Sequence, residues 1–528
     1  MAHLSQKPVY HFIAPRGWMN DPCAPGYDPR TGLYHLFYQW TPHSHRWDKI
    51  AWGHATSEDI HHWTHASPDT PALKPDTEYD KEGVFTGCFW PEGPKGEQDQ
   101  DILTVFYTNV LAAPHFSKSH IRGRIKYPAN PIINQEPKGL DITGFRDPFV
   151  GPWIAMDQAR GTPGRLYGLI SGGVHGQGPR TFLYDVNPKD LTNWTYLFPL
   201  LRSHPVHSRP GGKWRGDLGL NLECTNFTNL VSESEERQVI LTGSEGGVPR
   251  PRGGVPRYGV WLMGSLEGEG KEVDLSISAA GMVDGGSLYA FNTMKNGVGS
   301  ILWGWLIEED LSDAILAQRG WTGCLGVPRQ LFLESYTGVH GTLKSNLADI
   351  GSLQVLPNGE VLTLGIRPLP ELVKLRGDRL FQVLDSSESR FRFDGLLACA
   401  IELVVDITDD TDEVTFHVRQ SDSVRTSISF FPKEEVIKLY REHSNDCADI
   451  LKSTEEGPFS LFRFVSSGIE NLRLVVLLDG DVLEVFANDR FALATRVYSP
   501  ADATGVAYEH KRRAQVKQFE LWEMKATQ

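Results

Sequence analysis

The sequence predicts an all-β protein, and two observations favour this class. Short runs of β-branched and aromatic residues, such as residues 165–171 and 238–243, recur along the 528-residue chain. The 52 glycines and 33 prolines supply many turns, and sustained 3.6-residue periodicity is scarce. A sandwich, a barrel or a propeller is compatible with such a pattern.

A weak internal period favours a propeller for the first part of the chain. Strand starts centred on Asp21, Phe85, Asp147, Glu223 and Ser287 are separated by 64, 62, 76 and 64 residues. A four-stranded blade with generous loops occupies about this much chain. Five such units cover roughly residues 10–345, which supports a propeller of five blades over residues 1–350, the fold that the family resemblance described below also implies.

The character of the sequence changes after residue 350. Residues 351–377 are predicted to be a linker with a short helix at residues 368–376, which has proline near its start. Alternating strands such as residues 400–407 and 472–478 predict a β-sandwich over residues 378–528. Its acidic run at residues 406–413 is interpreted as a solvated face.

Charge and composition argue against several classes of partner. The net charge of −14 disfavours nucleic acid and an anionic membrane, both of which favour basic surfaces. No stretch reaches the roughly 18 apolar residues of a membrane-spanning helix, and no signal peptide is evident. The six cysteines lack CxxC spacing, which predicts free thiols. We therefore expect a cytoplasmic protein, although a trimmed secreted chain would begin in the same way.

The predicted chemistry centres on residues 18–22, Trp-Met-Asn-Asp-Pro. Asn-Asp-Pro is also turn chemistry, so a plain turn is the structural alternative. The functional interpretation places the Asp21 carboxylate at a strand start. An amide beside it would bind hydroxyl groups, and a tryptophan would stack on a ring.

Two later stretches also place an acid in apolar surroundings, Asp147 in residues 144–150 and Glu223 in residues 219–226. Burying a carboxylate costs several kcal/mol unless it is paired or hydrogen-bonded. The plain alternatives are a local Arg146–Asp147 ion pair and an exposed strand-edge Glu223. Equivalent propeller strands converge on the axis, which would bring the three acids into one funnel. Retaining glycoside hydrolysis needs two carboxyl groups about 5 to 5.5 Å apart, one of them an acid with a raised pKa.

The sequence resembles glycoside hydrolase family 32, which includes invertases, inulinases and fructosyltransferases. The resemblance runs from Tyr10 to about Trp522. The stretches that carry it follow in the family's order: residues 18–22, 52–57, 62–63, 85–87, Arg146-Asp147-Pro148, Glu223-Cys224, 320–329 and 484–489.

The resemblance implies a role for each acid. Asp21 would be the nucleophile, Glu223 the general acid/base and Asp147 the transition-state stabiliser. The fold implied is a five-bladed propeller followed by a sandwich, with no metal and no organic cofactor. The residues implied to bind fructose are Asn20, Gln39, Trp47, Phe85, Thr86 and Arg146.

The sequence also departs from the family pattern. Cys23-Ala24 follows the first Asp-Pro in place of Asn-Gly, and Thr225 follows Glu223-Cys224 in place of proline. Residues 171–179 and 242–246 resemble a fungal branch that includes sucrose-using fructosyltransferases. Within them, Glu245 is a candidate for the leaving-sugar subsite, with a loop acid as the alternative.

The expected function is a retaining β-fructofuranosidase that cleaves sucrose and related β-fructosides through a covalent fructosyl-enzyme. Transfer to sugars would give kestose-type fructooligosaccharides at high sucrose. The alternatives are a dedicated fructosyltransferase, an inulin-type hydrolase and an inactive sugar-binding propeller, the last disfavoured by the three acids. The sequence leaves acceptor preference and oligomeric state open, and a homodimer is one option.

Two glycosylation sequons, Asn193-Trp-Thr195 and Asn226-Phe-Thr228, bear on the compartment. The second begins three residues after Glu223, about 10 Å along a strand. A glycan there would obstruct the funnel or the pairing of strands around it. This also favours an intracellular enzyme with free thiols.

Overall fold

The computed structural model describes residues 7–98, 102–112, 115–122, 126, 130–205, 207, 212–247, 257–297, 299–511 and 514–527. Within them, no helix is long and apolar enough to cross a membrane. Strands dominate, as short runs of β-branched and aromatic residues between turns require. They assemble into a propeller followed by a sandwich, and the predicted fold class is confirmed.

The first four blades are antiparallel sheets whose strands follow one another in chain order. Helix α1, Ile154–Arg160, lies between the first two strands of blade 3. The strands of the four blades are β1 Gly17–Asp28, β2 Leu33–Thr41, β3 Ala51–Ser57 and β4 Thr64–His65; β5 Gly83–Trp90, β6 Thr104–Ala112 and β7 His115–Arg122; β8 Ile142–Pro152, β9 Leu166–Val174, β10 Gly178–Asn187 and β11 Asp190–Leu200; β12 Asn221–Val231, β13 Glu236–Glu245, β14 Arg257–Glu267 and β15 Asp274–Met282.

The fifth blade is interrupted by short elements that lie outside its main sheet. Its strands run in the order β16, β17, β20, β23, β22. The elements of this region are β16 Leu288–Asn296, β17 Gly299–Leu306, α2 Asp313–Arg319, β18 Trp321–Thr322, β19 Cys324–Leu325, β20 Arg329–Tyr336, β21 Val339–Thr342, β22 Gln354–Val355 and β23 Val361–Pro368.

The fifth blade extends past residue 350, where the propeller was predicted to end. Strand β23 pairs with β20 beyond residue 350, inside the stretch predicted as a linker. A 3₁₀ helix follows at Pro370–Leu375, within the predicted short helix at residues 368–376. The remaining domain bounds stay a prediction.

The first strand of each blade is the innermost, and these five strands form a closed ring. Strand β1 contacts β5, β5 contacts β8, β8 contacts β12, β12 contacts β16, and β16 contacts β1. Strand β18 pairs in parallel with β1, with Gly17 opposite Trp321, so a late segment joins the first blade to the last. The C-terminal ends of all five inner strands line one cavity, so the strands run in one direction along a common axis.

The C-terminal domain packs two six-stranded sheets around an apolar core. Strands β21, β31 and β32 form a separate small sheet. The strands of this domain are β24 Arg376–Ser386, β25 Arg390–Asp394, β26 Ala398–Asp406, β27 Glu413–Gln420, β28 Thr426–Phe431, β29 Val436–Tyr440, β30 Glu455–Pro458, β31 Phe462–Phe464, β32 Gly468–Ile469, β33 Leu472–Asp479, β34 Val482–Ala487, β35 Phe491–Arg496, β36 Gly505–Lys511 and β37 Gln515–Met524.

Buried ion pairs join the two domains. The His11 ring lies between two sandwich carboxylates, 2.9 Å from Asp479 and 3.0 Å from Glu484. Glu484 also pairs with Arg329 of blade 5 at 2.7 Å. Burial lowers the pKa of His11, but hydrogen bonds to both carboxylates outweigh this and raise it to about 9. The interface is therefore stabilised by a protonated histidine.

Candidate active site

Each inner strand has a β-bulge near its N-terminal end. A bulge bends the strand and re-aims the side chains beside it. Asp147, Cys224 and Ala290 lie at such bulges with positive φ values of 59°, 48° and 52°. The register shifts lie between Met19 and Pro22, Phe85 and Gly87, Arg146 and Phe149, Glu223 and Asn226, and Tyr289 and Asn292.

The bulges bring one polar side chain from every blade to the same end of the axis. These are Asp21, Thr86, Asp147, Glu223 and Tyr289, one on each inner strand. The three predicted acids therefore meet in one funnel, as the sequence analysis expected. They are also linked to one another by hydrogen bonds and shared partners.

Asp21 is held by three donors. Asn20 Nδ2 donates to its Oδ1 at 3.0 Å, while Gln39 Nε2, at 3.3 Å, and the Thr86 hydroxyl, at 2.5 Å, donate to its Oδ2. Gln39 also accepts from Asn20 and donates to Thr86, so the three donors brace one another. Burial raises the pKa of Asp21 to about 6, although the Thr86 hydrogen bond offsets part of the rise. The carboxylate is fixed in orientation, and its burial favours the protonated form.

Asp147 is the most enclosed of the three acids. Its backbone N–H donates to Thr108 Oγ1 at 2.7 Å, and its Oδ2 accepts from the Cys224 N–H at 3.1 Å. The Cys224 thiol lies 3.6 Å from this oxygen and 3.9 Å from Asp21 Oδ2, so one sulfur contacts both carboxylates. Burial raises the pKa of Asp147 to about 7, against the opposing effect of the Arg146 guanidinium.

Glu223 has a different environment because it is surrounded by donors. Arg146 donates to its Oε1 from Nη2 at 2.7 Å and from Nε at 3.2 Å, and the Tyr289 hydroxyl donates to Oε2. Burial acts to raise the pKa of Glu223, but Arg146 and Tyr289 outweigh it and lower the value. A raised pKa was expected for the acid of the reaction, whereas in this arrangement the pKa of Glu223 lies below its usual value. Burial instead raises the pKa values of Asp21 and Asp147.

The Arg146 guanidinium donates to two acids, Glu223 and Glu245. It donates from Nη2 to Glu223 and also to Glu245 Oε2, both at 2.7 Å. Glu245 ends strand β13, and Asn221 Nδ2 lies 3.4 Å from the same oxygen. The Arg146–Asp147 ion pair offered as the structural alternative is much longer, at 3.9 Å. Arg146 therefore acts chiefly on Glu223 and Glu245.

The two predicted aromatic residues form a separate pair. The Trp47 ring lies 5.7 Å from the Phe85 ring at an edge-to-face angle of 69°, and Trp47 is 46% exposed. Phe85 immediately precedes Thr86 on β5. The pair offers an apolar surface that faces solvent. Asn20, Gln39, Thr86, Arg146 and Glu245 by contrast belong to the hydrogen-bond network of the acids.

Tyr289 was missed by the sequence analysis, although its position carried a signal. It follows Ser287, the residue that marks the strand start of the fifth blade, by two positions. The residues that mark the other four strand starts are themselves predicted site residues. Arg257 was also missed; its guanidinium lies 5.9 Å from the Tyr289 ring and 2.6 Å from Glu309.

A possible metal-ligand group lies away from this funnel. Among the described residues, Asp59, His61 and His62 have ligand atoms close enough to hold one ion. Asp59 already accepts hydrogen bonds from the backbone N–H groups of His61 and His62, and it lies 2.8 Å from His62 Nδ1. These bonds explain the cluster as a braced turn.

Two family models match most of the chain. The model of the glycosyl hydrolases family 32 N-terminal domain matches residues 11–344, and that of the family 32 C-terminal domain matches residues 371–523. The chain belongs to glycosyl hydrolase family 32. The two matched regions correspond to the propeller and the sandwich of this family-32 chain.

Individual relatives are more distant. An acid β-fructofuranosidase from Solanum lycopersicum is 29% identical to this chain. The alignment covers 66% of this chain and about half, 52%, of that protein. The vacuolar acid β-fructofuranosidase 2 of a Rosa hybrid cultivar is 27% identical over 95% of this chain and 78% of its own length. The crystal structure of a fructosyltransferase from A. japonicus has a TM-score of 0.84 and 25% identity, covering 99% of this chain and 95% of that one.

Proposed function

We propose that this chain cleaves sucrose and related β-fructosides with retention of configuration, through a covalent fructosyl-enzyme. The observation that carries the proposal is the convergence of Asp21, Asp147 and Glu223 in one funnel. Asp21, whose carboxylate accepts from three donors, faces the same space as Glu223, which accepts from an arginine and a tyrosine. Two carboxyl groups with distinct environments are the requirement of retaining glycoside hydrolysis.

In the first step, Asp21 attacks the anomeric carbon of the fructosyl unit. The bond from Asp21 to that carbon forms as the glycosidic bond breaks, and Glu223 gives its proton to the departing sugar oxygen. In the second step, Glu223 takes a proton from water or from a sugar hydroxyl. That oxygen attacks the anomeric carbon and releases the Asp21 carboxylate. Hydrolysis and transfer therefore share one intermediate.

Protons must move between the acids before the first step. Burial favours protonation of Asp21 and Asp147, whereas hydrogen-bond donors favour the ionised form of Glu223. Sugar hydroxyls that donate to Asp21 and Asp147 favour their ionised forms, and exclusion of water raises the pKa of Glu223. Substrate binding thus places the proton on Glu223, where the departing sugar needs it.

The remaining site residues bind the two sugars. Asp147, enclosed by Thr108 and Cys224, accepts hydrogen bonds from fructosyl hydroxyls that strengthen in the oxocarbenium-like transition state. The Trp47–Phe85 pair packs against the apolar face of the ring. Glu245 lies near Glu223 because both acids accept a hydrogen bond from Arg146. This position suits a contact with the leaving sugar.

A dedicated fructosyltransferase is the second candidate, because a solved relative with 25% identity is titled a fructosyltransferase. Product profiles at low and high sucrose separate the two functions. We expect release of glucose and fructose at low sucrose and trisaccharides at high sucrose. NMR of the first-formed product should show retained β configuration; initial α-fructose would contradict the covalent intermediate.

We also propose that the enzyme acts in the cytoplasm on imported sucrose. All six cysteines are free, and five of them are buried. Asn226 is buried, and its Nδ2 donates to the carbonyl oxygens of Cys224 at 2.8 Å and Phe291 at 3.1 Å. A glycan on Asn226 is incompatible with this arrangement. Intact mass with a thiol count on protein from its native host tests the proposal, and a glycan or a cystine would contradict it.

A further inference from the structure

A cavity of about 440 Å³ lies at the end of the propeller axis opposite the catalytic funnel. Its walls are the C-terminal ends of the same five inner strands, together with the start of α1. Cavities of roughly this size hold small organic molecules. The mechanism above uses none of these residues.

The walls of this far cavity are mostly aromatic and apolar. Phe89, Trp90, Phe149 and Phe227 line it, with four prolines around them. The Phe149 and Phe227 rings meet edge-to-face at 5.2 Å, which fixes one wall. Such flat, rigid surfaces favour a planar ring over a flexible chain, because rings stack on them at low entropic cost.

Two polar side chains at the far cavity, Asn229 and Lys295, have donor groups that a ligand could engage. The Asn229 Oδ1 already accepts from Gln238 Nε2 at 2.9 Å, while its Nδ2 has no acceptor within the described part of the chain. Lys295 is exposed at the cavity, and its ammonium pairs with no carboxylate among the residues described. The complementary ligand therefore accepts hydrogen bonds and has a negative charge.

We propose that the far cavity is a second ligand site that binds a small aromatic carboxylate. The ring would stack among Phe89, Phe149 and Phe227, and the carboxylate would accept from Lys295 and Asn229. The proposal does not depend on the reaction in the funnel.

Gly151 offers a way to close the cavity without strain. A Cβ placed on Gly151 would lie 3.5 Å from the nearest atom, a carbon of the Phe227 ring, which is ordinary contact. Gly151→Leu should therefore fold and fill the cavity. Lys295→Gln removes only the charge from an exposed side chain, and Lys374→Gln, on the 3₁₀ helix Pro370–Leu375, is the matched control.

Calorimetric titration of the full chain with 2-naphthoate tests the proposal, with 2-naphthamide as the neutral probe. We expect a Kd for the acid tighter than about 1 mM. The acid should bind about tenfold more tightly than the amide, and Lys295→Gln should weaken its binding about tenfold. Gly151→Leu should abolish binding, and Lys374→Gln should leave it unchanged.

Other outcomes overturn the proposal. Absence of binding by 2-naphthoate would show that the cavity does not recognise this class of ligand. Equal binding of acid and amide, or of Lys295→Gln and the unmodified chain, would remove the role of the charge. Binding that persists in Gly151→Leu, or that sucrose displaces competitively, would place the probe in the catalytic funnel.

Discussion

The five inner strands begin at a mouth lined by carboxylates and end at a mouth lined by rings. At the first mouth, bulges turn Asp21, Asp147 and Glu223 into one space and fill it with hydrogen bonds. At the second, the C-terminal ends of the strands leave a cavity walled by phenylalanine and proline. One ring of strands thus builds a charged site at one end and an apolar site at the other.

The largest expected effect comes from the acids of the first mouth. Asp21→Asn or Glu223→Gln should lower sucrose turnover by about 10⁴-fold, because each removes a nucleophilic or proton-transfer role. Both changes are nearly isosteric, so circular dichroism and the thermal midpoint should stay close to those of the unmodified chain. Lys374→Gln is the control. Turnover above about a tenth of the unmodified value in either variant would contradict the assigned role.

Tyr289→Phe should act on the same mouth with a smaller effect. The hydroxyl donates to Glu223 and helps to lower the pKa of that acid, so its loss should raise the pKa. The alkaline limb of the rate profile, where Glu223 loses its proton, should move to higher pH. Turnover at the optimum should fall about 10- to 100-fold. A profile that keeps its limbs would indicate a structural role only; Tyr440→Phe in the sandwich controls for loss of a hydroxyl.

His11, at the interface of the two domains, makes the stability of the fold depend on pH. This effect on stability must be distinguished from the shift of the alkaline limb of the rate profile. The pKa of His11 is raised to about 9 in the folded state. Its stabilising contribution is therefore complete below about pH 6.5 and lost as pH rises through 9. We expect the free energy of unfolding to fall by about 3 kcal/mol between pH 6.5 and 10. Urea unfolding measures this, and His11→Gln should be less stable at pH 6.5 and lack the decline.

The sequence predicted the strands, the propeller and the convergence of three acids, because acid- or aromatic-centred strand starts recur at about blade spacing and the motifs resemble those of family 32. It missed Tyr289 because a tyrosine beside Leu288 is typical of an ordinary core strand. The bond from Tyr289 to Glu223 depends on a bulge where Ala290 has φ 52°. Bulge geometry depends on how the neighbouring strand is paired, which the local sequence does not show.

Arg146 is directed away from its neighbour in sequence. Because Arg146 and Asp147 are adjacent, a local ion pair was the plain alternative to a functional role. In the structure, the guanidinium lies 2.7 Å from Glu223 and 3.9 Å from Asp147. Similarly, residues 351–377 were predicted as a linker, and in the structure residues 357–359 form the turn that joins β22 to β23. In both cases the local pattern was correct and the tertiary partner was not predictable from it.

The smallest expected effect compares one glycine near each mouth. At Gly87, on the β5 bulge, an added Cβ would lie 1.7 Å from the Phe106 carbonyl oxygen, whereas at Gly151 its nearest neighbour is 3.5 Å away. Gly87→Ala should therefore lower the thermal midpoint by several degrees. Gly151→Ala should raise the thermal midpoint slightly, because alanine restricts the unfolded chain and fits the native backbone. The expected gain in the free energy of unfolding is about 0.4 to 1 kcal/mol. Differential scanning calorimetry of both variants measures the contrast. Equal destabilisation by the two alanines would show that the far mouth is packed as tightly as the catalytic one, and the distinction between them would then be chemical and not steric.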